Sequence, residues 1–145
     1  MIMFGDYAHA RLIAQAAGCG YDPEVNFCVS LAKEEQLLGG VIYTNYTGRS
    51  VQIHQAGFVP AWPTPQFMFC IYDFPFNVLK VEKLIATVPS TNRRAMSITR
   101  KMGFTPTVTI PDIVPGGDME ILSMMRHECK YLKLAWRYAA MENAA

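Results

Sequence analysis

The sequence predicts an α/β (α+β) fold: a mixed sheet with helices on both faces, three layers in all. Three observations carry this prediction. Residues 26–59 hold three short apolar runs joined by connections of a few residues, which suits an antiparallel meander. Residues 66–102 change to a helix–strand–helix order, which inserts a parallel element into that sheet. Two further strands flank Pro115-Gly116-Gly117-Asp118 and form a final hairpin.

The elements follow in chain order. Residues 7–17 are Ala-rich, with Leu12, Ile13 and Ala16 at helical spacing, and Gly18 and Gly20 stop the helix. After Asp22-Pro23 a strand covers 26–32, Glu34-Glu35 turns the chain, and a second strand covers 37–46. Thr47-Gly48 turns it again into a third strand at 50–59. Thr64 then suits a helix N-cap and Pro65 the first helical position. The helix at 66–79 carries Phe67, Cys70, Ile71, Phe74 and Val78 on one side, and Pro75 should kink or shorten its last turn. Residues 82–88 read as a buried strand. The helix at 92–102 has Ala95, Ile98 and Met102 as its apolar stripe and Gly103 at its end. Strands at 104–110 and 119–125 and a C-terminal helix from about 127 to 141 complete the chain.

A length of 145 residues is that of one domain, 1–145, large enough to bury a core. Hydrophobic residues make up 51% and charged residues 17%, which excludes a disordered chain. A net charge of +1 argues against a nucleic-acid partner, because such binders carry a clear basic excess. Cys19, Cys28, Cys70 and Cys129 show no CxxC or Cys/His spacing, so no metal is expected, and Cys28 and Cys70 read as small buried thiols. Asp6 and His9 interrupt the one stretch that could act as a signal peptide. No apolar run approaches the roughly 20 residues that span a bilayer. A soluble protein of the reducing cytoplasm, without a membrane partner, is the expectation.

Against this near-neutral background the stretch VPSTNRRAMSITRKMGF, residues 88–104, stands out for four cations on one short helix. With the aromatic turn Phe74-Pro75-Phe76-Asn77 before it, and Asn92, Ala95, Lys101, Gly103 and Phe104 at their spacing, it resembles the GNAT superfamily of acetyl-CoA-dependent N-acetyltransferases. The nearest likeness is to the branch that acetylates ribosomal-protein N-termini and to small phage-encoded acetyltransferase-like proteins. Gly117-Asp118 and Glu128-Cys129 extend the resemblance, which covers roughly residues 36–132.

The resemblance implies a V-shaped split between two parallel strands, here 50–59 and 82–88, that admits acetyl-CoA as co-substrate. It implies pairing of the pantetheine arm with the main chain at Phe58 and Val59. It places the pyrophosphate at the helix start near Thr64, Gln66 and Phe67, where unpaired N–H groups and the helix dipole suit an anion. The family's glycine-rich phosphate loop is replaced here by Val59-Pro60-Ala61-Trp62-Pro63-Thr64-Pro65, without a glycine. Asn92 would bond the pantetheine arm or simply cap its helix. Arg93, Arg94, Arg100 and Lys101 avoid the apolar stripe and form either a solvated face or a contact for the 3′-phosphate and adenine end of CoA.

Acetyl transfer to an amine requires placement and proton handling. His54 shares a strand face with Gln52 and Ala56, and its ordinary pKa near 6.5 suits a base; the alternative is a histidine bonded to a neighbouring strand. The family's usual acid, a Tyr four residues before the terminal glycine, is Thr99 here. The expected activity is therefore transfer of an acetyl group by direct attack of a primary amine (a peptide N-terminus, a lysine or a small amine) in a ternary complex. The alternative is a non-catalytic interaction module that keeps the fold. The final hairpin and tail helix offer apolar surface for a homodimer or for packing on the chain's own sheet.

Overall fold

The computed structural model describes residues 1–134. They form one seven-stranded sheet in the order β1–β2–β3–β4–β5–β7–β6. The strands are β1 (Ile2–Phe4), β2 (Phe27–Lys33), β3 (Gln36–Thr44), β4 (Ser50–Gly57), β5 (Lys83–Pro89), β6 (Thr105–Val114) and β7 (Gly117–Met125). The helices are α1 (Tyr7–Ala17), α2 (Pro65–Asp73) and α3 (Arg93–Lys101). All neighbouring strands are antiparallel except β4 and β5, so the mixed sheet with one parallel pair is present as expected.

Strand β1 has no counterpart in the sequence reading. Three residues are too few for an apolar period to declare itself. The strand is held by its ladder to β2 and by flanking bonds from the Ala32 amide to the Met1 carbonyl and from the Gly5 amide to the Cys28 carbonyl, each 2.9 Å. Between β2 and β3, Glu34 and Glu35 take φ values of 50° and 67°, the left-handed pair that lets two strands meet in a two-residue turn.

Helix α1 covers one face of β2, β3 and β4. Asp6 caps it through the His9 amide at 2.8 Å, and left-handed Gly18 ends it. Its buried residues Ala10, Ile13 and Ala14 pack on Cys28 and Ile42. The approach is close: a Cβ on Gly40 would lie 2.3 Å from the Ile13 side chain.

The larger core fills the other face, under α2 and α3. Val41, Tyr43, Val51, Phe67, Ile71, Phe76, Leu84, Leu122 and Met124 are fully buried there. Each such aliphatic or Phe side chain contributes about 1.5–3 kcal/mol of transfer free energy. Helix α2 begins where Thr64 and Pro65 indicated, with the Thr64 hydroxyl accepting from the Phe67 amide at 3.1 Å. Pro75 acts as expected on the far end. The regular helix stops at Asp73, and Phe74–Val78 form a widened turn in which the Leu79 amide reaches back five residues to the Phe74 carbonyl. Arg126, just past β7, pins that turn by donating to the Phe76 carbonyl and the Asn77 side chain.

Two expectations need correction. On α3 the buried position is Thr99, flanked by half-buried Ala95 and Met96 and by Met102, while Ile98 is 40% exposed. Ala95 and Met102 face inward as expected, and Thr99 takes the place of Ile98, its hydroxyl bonded back to the Ala95 carbonyl at 2.7 Å. The expected C-terminal helix begins not as one continuous helix but as two short 3₁₀ helices, Arg126–Glu128 and Lys130–Leu134. Between them Cys129 is extended and buried, and Tyr131 stacks on Tyr72, so side-chain burial pulls the chain out of helical register. The remainder of that expected helix lies outside the described residues.

Candidate active site

The site begins with the way β4 leaves β5. The two strands pair over Ser50↔Lys83, Val51↔Leu84 and Gln52↔Ile85, although β4 continues to Gly57 and β5 to Pro89. Beyond Gln52 the strands splay. The Phe58 amide donates to the Leu38 carbonyl at 2.9 Å, in the register that places Ala56 opposite Gly40 and His54 opposite Ile42. Main-chain polar groups alternate sides along an antiparallel ladder. Hence Ile53, Gln55 and Gly57 turn their N–H and C=O groups toward the gap. Phe58, expected to offer main chain to a ligand, has its N–H turned the other way, and β4 ends before Val59.

The loop leading to α2 is folded onto the sheet by Trp62. Its indole lies over Gly39 and Gly57, which face each other across β3 and β4; a Cβ on Gly57 would sit 1.9 Å from the indole nitrogen. The ring also meets Phe67 edge-on at 5.5 Å. Ala61 makes the tight turn into this arrangement with φ of 53°, a left-handed conformation unusual for a residue with a Cβ. At the helix start Pro65 has no N–H, and the Phe67 N–H is met by Thr64. Gln66 is exposed, and its amide lies in the first turn, where no intrahelical acceptor exists. The set of donors for an anion is thus one amide and the Thr64 hydroxyl proton.

Across the gap, Asn92 caps α3 by accepting from the Ala95 amide at 3.1 Å and is exposed. Arg93, Arg94, Arg100 and Lys101 are exposed as well, and none makes an ion pair among the described residues. The loop before α3 is tied to the final hairpin: the Ser90 amide donates to the Asp118 carbonyl at 2.8 Å, and the Ser90 hydroxyl accepts from the Asp118 amide at 2.9 Å.

His54 lies on the α1 face of β4, two residues beyond the last β4–β5 pair. Its Nε2 is 2.8 Å from the Thr44 hydroxyl, and burial holds its pKa below the ordinary value of 6.5. His54 is thus bonded to a neighbouring strand, the alternative to a role as base. Thr99 offers no acid to the site, since its hydroxyl is bonded within α3.

Other chemistries lack the geometry. Burial raises the pKa of all four thiols, that of Cys28 to about 12, so none is a ready thiolate. Asp6, His9 and Ser30 gather like a hydrolytic triad, yet Asp6 and Ser30 both address Nδ1 of His9, at 3.8 and 2.9 Å. A relay needs opposite nitrogens, and Ser30 is fully buried. No three His, Cys, Asp or Glu side chains converge among the described residues.

No protein-family model matches the chain, and neither does the sequence of any curated protein. Solved structures do. Mutant forms of the spermidine/spermine N-acetyltransferase SpeG from Vibrio cholerae superpose with a TM-score of 0.67 at 16% identity, over 92% of this chain and 97% of theirs. A SpeG chimera with hSSAT gives 0.60 at 18%, over 75% and 70%. The Campylobacter jejuni N-acetyltransferase PseH, solved with acetyl coenzyme A, gives 0.55 at 20%, over 70% and 68%. The chain has the GNAT fold of these N-acetyltransferases. At such identities the likeness is one of fold.

Proposed function

We propose that this protein is an acetyl-CoA-dependent N-acetyltransferase that acts on a primary amine. The observation that carries the reading is the free edge of β4, where the main chain of Ile53, Gln55 and Gly57 faces a gap that β5 has vacated. A pantetheine arm, with two amides in an extended chain, fits such an edge as an added strand. The splayed pair lies in the fold shared with PseH, which was solved with acetyl coenzyme A. The phosphate end fits less fully, with the Gln66 amide, the Thr64 hydroxyl and the cations of α3, among them Arg93 and Lys101, as its contacts.

Bound acetyl-CoA would supply an activated acyl thioester. The chain's own part is placement and proton transfer. N–H groups of the β4 edge polarise the acyl oxygen. His54, kept in its neutral form by burial, takes a proton from the acceptor's ammonium directly or through one water, and the free amine then attacks the thioester carbon. Thr44 orients the imidazole. With Thr99 bonded inside α3, water protonates the departing thiolate. SpeG is a spermidine/spermine N-acetyltransferase; for this chain a small amine, a lysine or a peptide N-terminus is proposed.

Calorimetric titration with acetyl-CoA, with dephospho-CoA in parallel, tests the reading. Micromolar binding that weakens without the 3′-phosphate is the expected result, and it gives Arg93 and Lys101 their role. Absence of heat with either ligand would favour a second reading, an interaction module on the same fold. Trp62 filling the Gly39–Gly57 surface and the glycine-free loop are the features that favour it.

A further inference from the structure

The side chain of Gln55 also reaches across the split. It projects from β4 on the α2/α3 face, beside Val51 and Ile53. Its Nε2 lies 3.2 Å from the sulfur of Met102, the residue that ends α3 over β5. The contact joins residues 47 apart in sequence and spans a gap where the main chains no longer pair. Met102 is 8% exposed and packed in the core, whereas Gln55 is half-buried, so the amide is the freer partner.

The chemistry of the pair is unequal. A carboxamide offers two donors and two acceptor sites, whereas a thioether is a weak acceptor and no donor. Gln55 thus spends its best donor on a poor partner while half-buried beside an unpaired strand edge. Exchange of that contact for an amide carbonyl restores a full-strength hydrogen bond, and the Gln55 carbonyl is then placed to accept from an amide N–H. The ligand that fits carries secondary amides on a thin chain, close enough to β4 to touch main chain and side chain together.

We infer that Gln55 is a binding residue for the pantetheine arm, held ready across the empty gap by Met102. This inference rests on the acetyl-CoA reading above. In the bound state the arm takes the place of the sulfur. Gln55 then contributes twice, through its main-chain groups at the strand edge and through its carboxamide. Met102 serves the resting state alone.

Acetyl-CoA affinity of the full-length wild type, Gln55→Leu and Met102→Leu, measured by calorimetry beside melting curves, decides the matter. Gln55→Leu should bind about tenfold more weakly, the loss of one buried hydrogen bond. Met102→Leu should bind as the wild type does or more tightly, because the amide starts free. Equal affinity of Gln55→Leu and wild type overturns the inference while leaving the acetyl-CoA reading intact. Equal losses in both variants also overturn it, since the pair would then matter only as packing. A wild type that does not bind acetyl-CoA overturns both. If Gln55→Leu loses its melting transition, Gln55→Asn replaces it; that side chain keeps the carboxamide but falls one methylene short, and the same loss is expected.

Discussion

Thr44 and His54 meet at 2.8 Å between hydroxyl and Nε2, diagonally across β3 and β4 on the face that α1 covers. Burial lowers the His54 pKa, so the folded chain resists a proton that the unfolded chain accepts near pH 6.5. The sign follows from linkage: the unfolded state binds more protons, so stability falls as pH drops below about 6.5 and levels off under the folded pKa. His54→Gln should remove that acid-side loss in urea unfolding at pH 5 compared with pH 7. The same residue should put an acid limb with its bend below pH 6.5 on the pH profile of kcat/KM. A limb that survives His54→Gln would assign the proton transfer elsewhere.

Trp62 is bound to a surface made of two missing side chains. A methyl group on Gly57 would stand 1.9 Å from the indole nitrogen and expel the ring. Gly57→Ala should therefore cost about 2 kcal/mol by overpacking. Trp62→Ala should cost a similar amount, about 2 kcal/mol, less than a fully buried Trp because the ring is half-exposed. Urea midpoints for both single variants and the double variant test the coupling. Because both act on one contact, the double variant should lose clearly less than the sum, and simple additivity would show that the ring does not depend on the glycine.

Tyr72 is fully buried, stacked at 4.9 Å and 6° on Tyr131, and its hydroxyl finds no hydrogen-bond partner among the described residues. An unsatisfied buried hydroxyl costs desolvation without return. Tyr72→Phe keeps the ring and removes that cost, so the variant should be more stable by about 1 kcal/mol in chemical denaturation. A loss of stability would mean that the hydroxyl is bonded in solution.

Much of this fold was legible because its signals are local. Thr64-Pro65 marks the start of α2, Pro75 the end of its regular turns, and Asn92 with Gly103 the span of α3. The parallel pair followed from the helix–strand–helix order alone. The misses have non-local causes. Burial of Cys129 and the Tyr131–Tyr72 stack accompany a break of the expected helix into two short 3₁₀ helices, and the stack depends on a residue more than fifty positions earlier. In the site, His54 was placed by strand alternation, which needs only a period of two. The orientation of the Phe58 amide depended on ladder register, and the reach of Gln55 to Met102 on the splay between strands. Neither is written in a single segment. The Gly39–Gly57 pair did have a sequence trace, two glycines inside strands, which signals a close approach by something bulky.

The three-residue pairing of β4 with β5 also bears on how the domain holds together. Strands β1 to β4 with α1 form one block and β5, β7 and β6 with α3 another, joined by a short seam and by the core beneath α2. The main-chain part of that seam is three residue pairs long, while one core runs beneath it from β2 to β7. A ligand seated in that seam supplies the rungs the sheet lacks. Binding and cohesion of the two blocks are then one event, and the melting temperature should rise with ligand concentration as mass action requires.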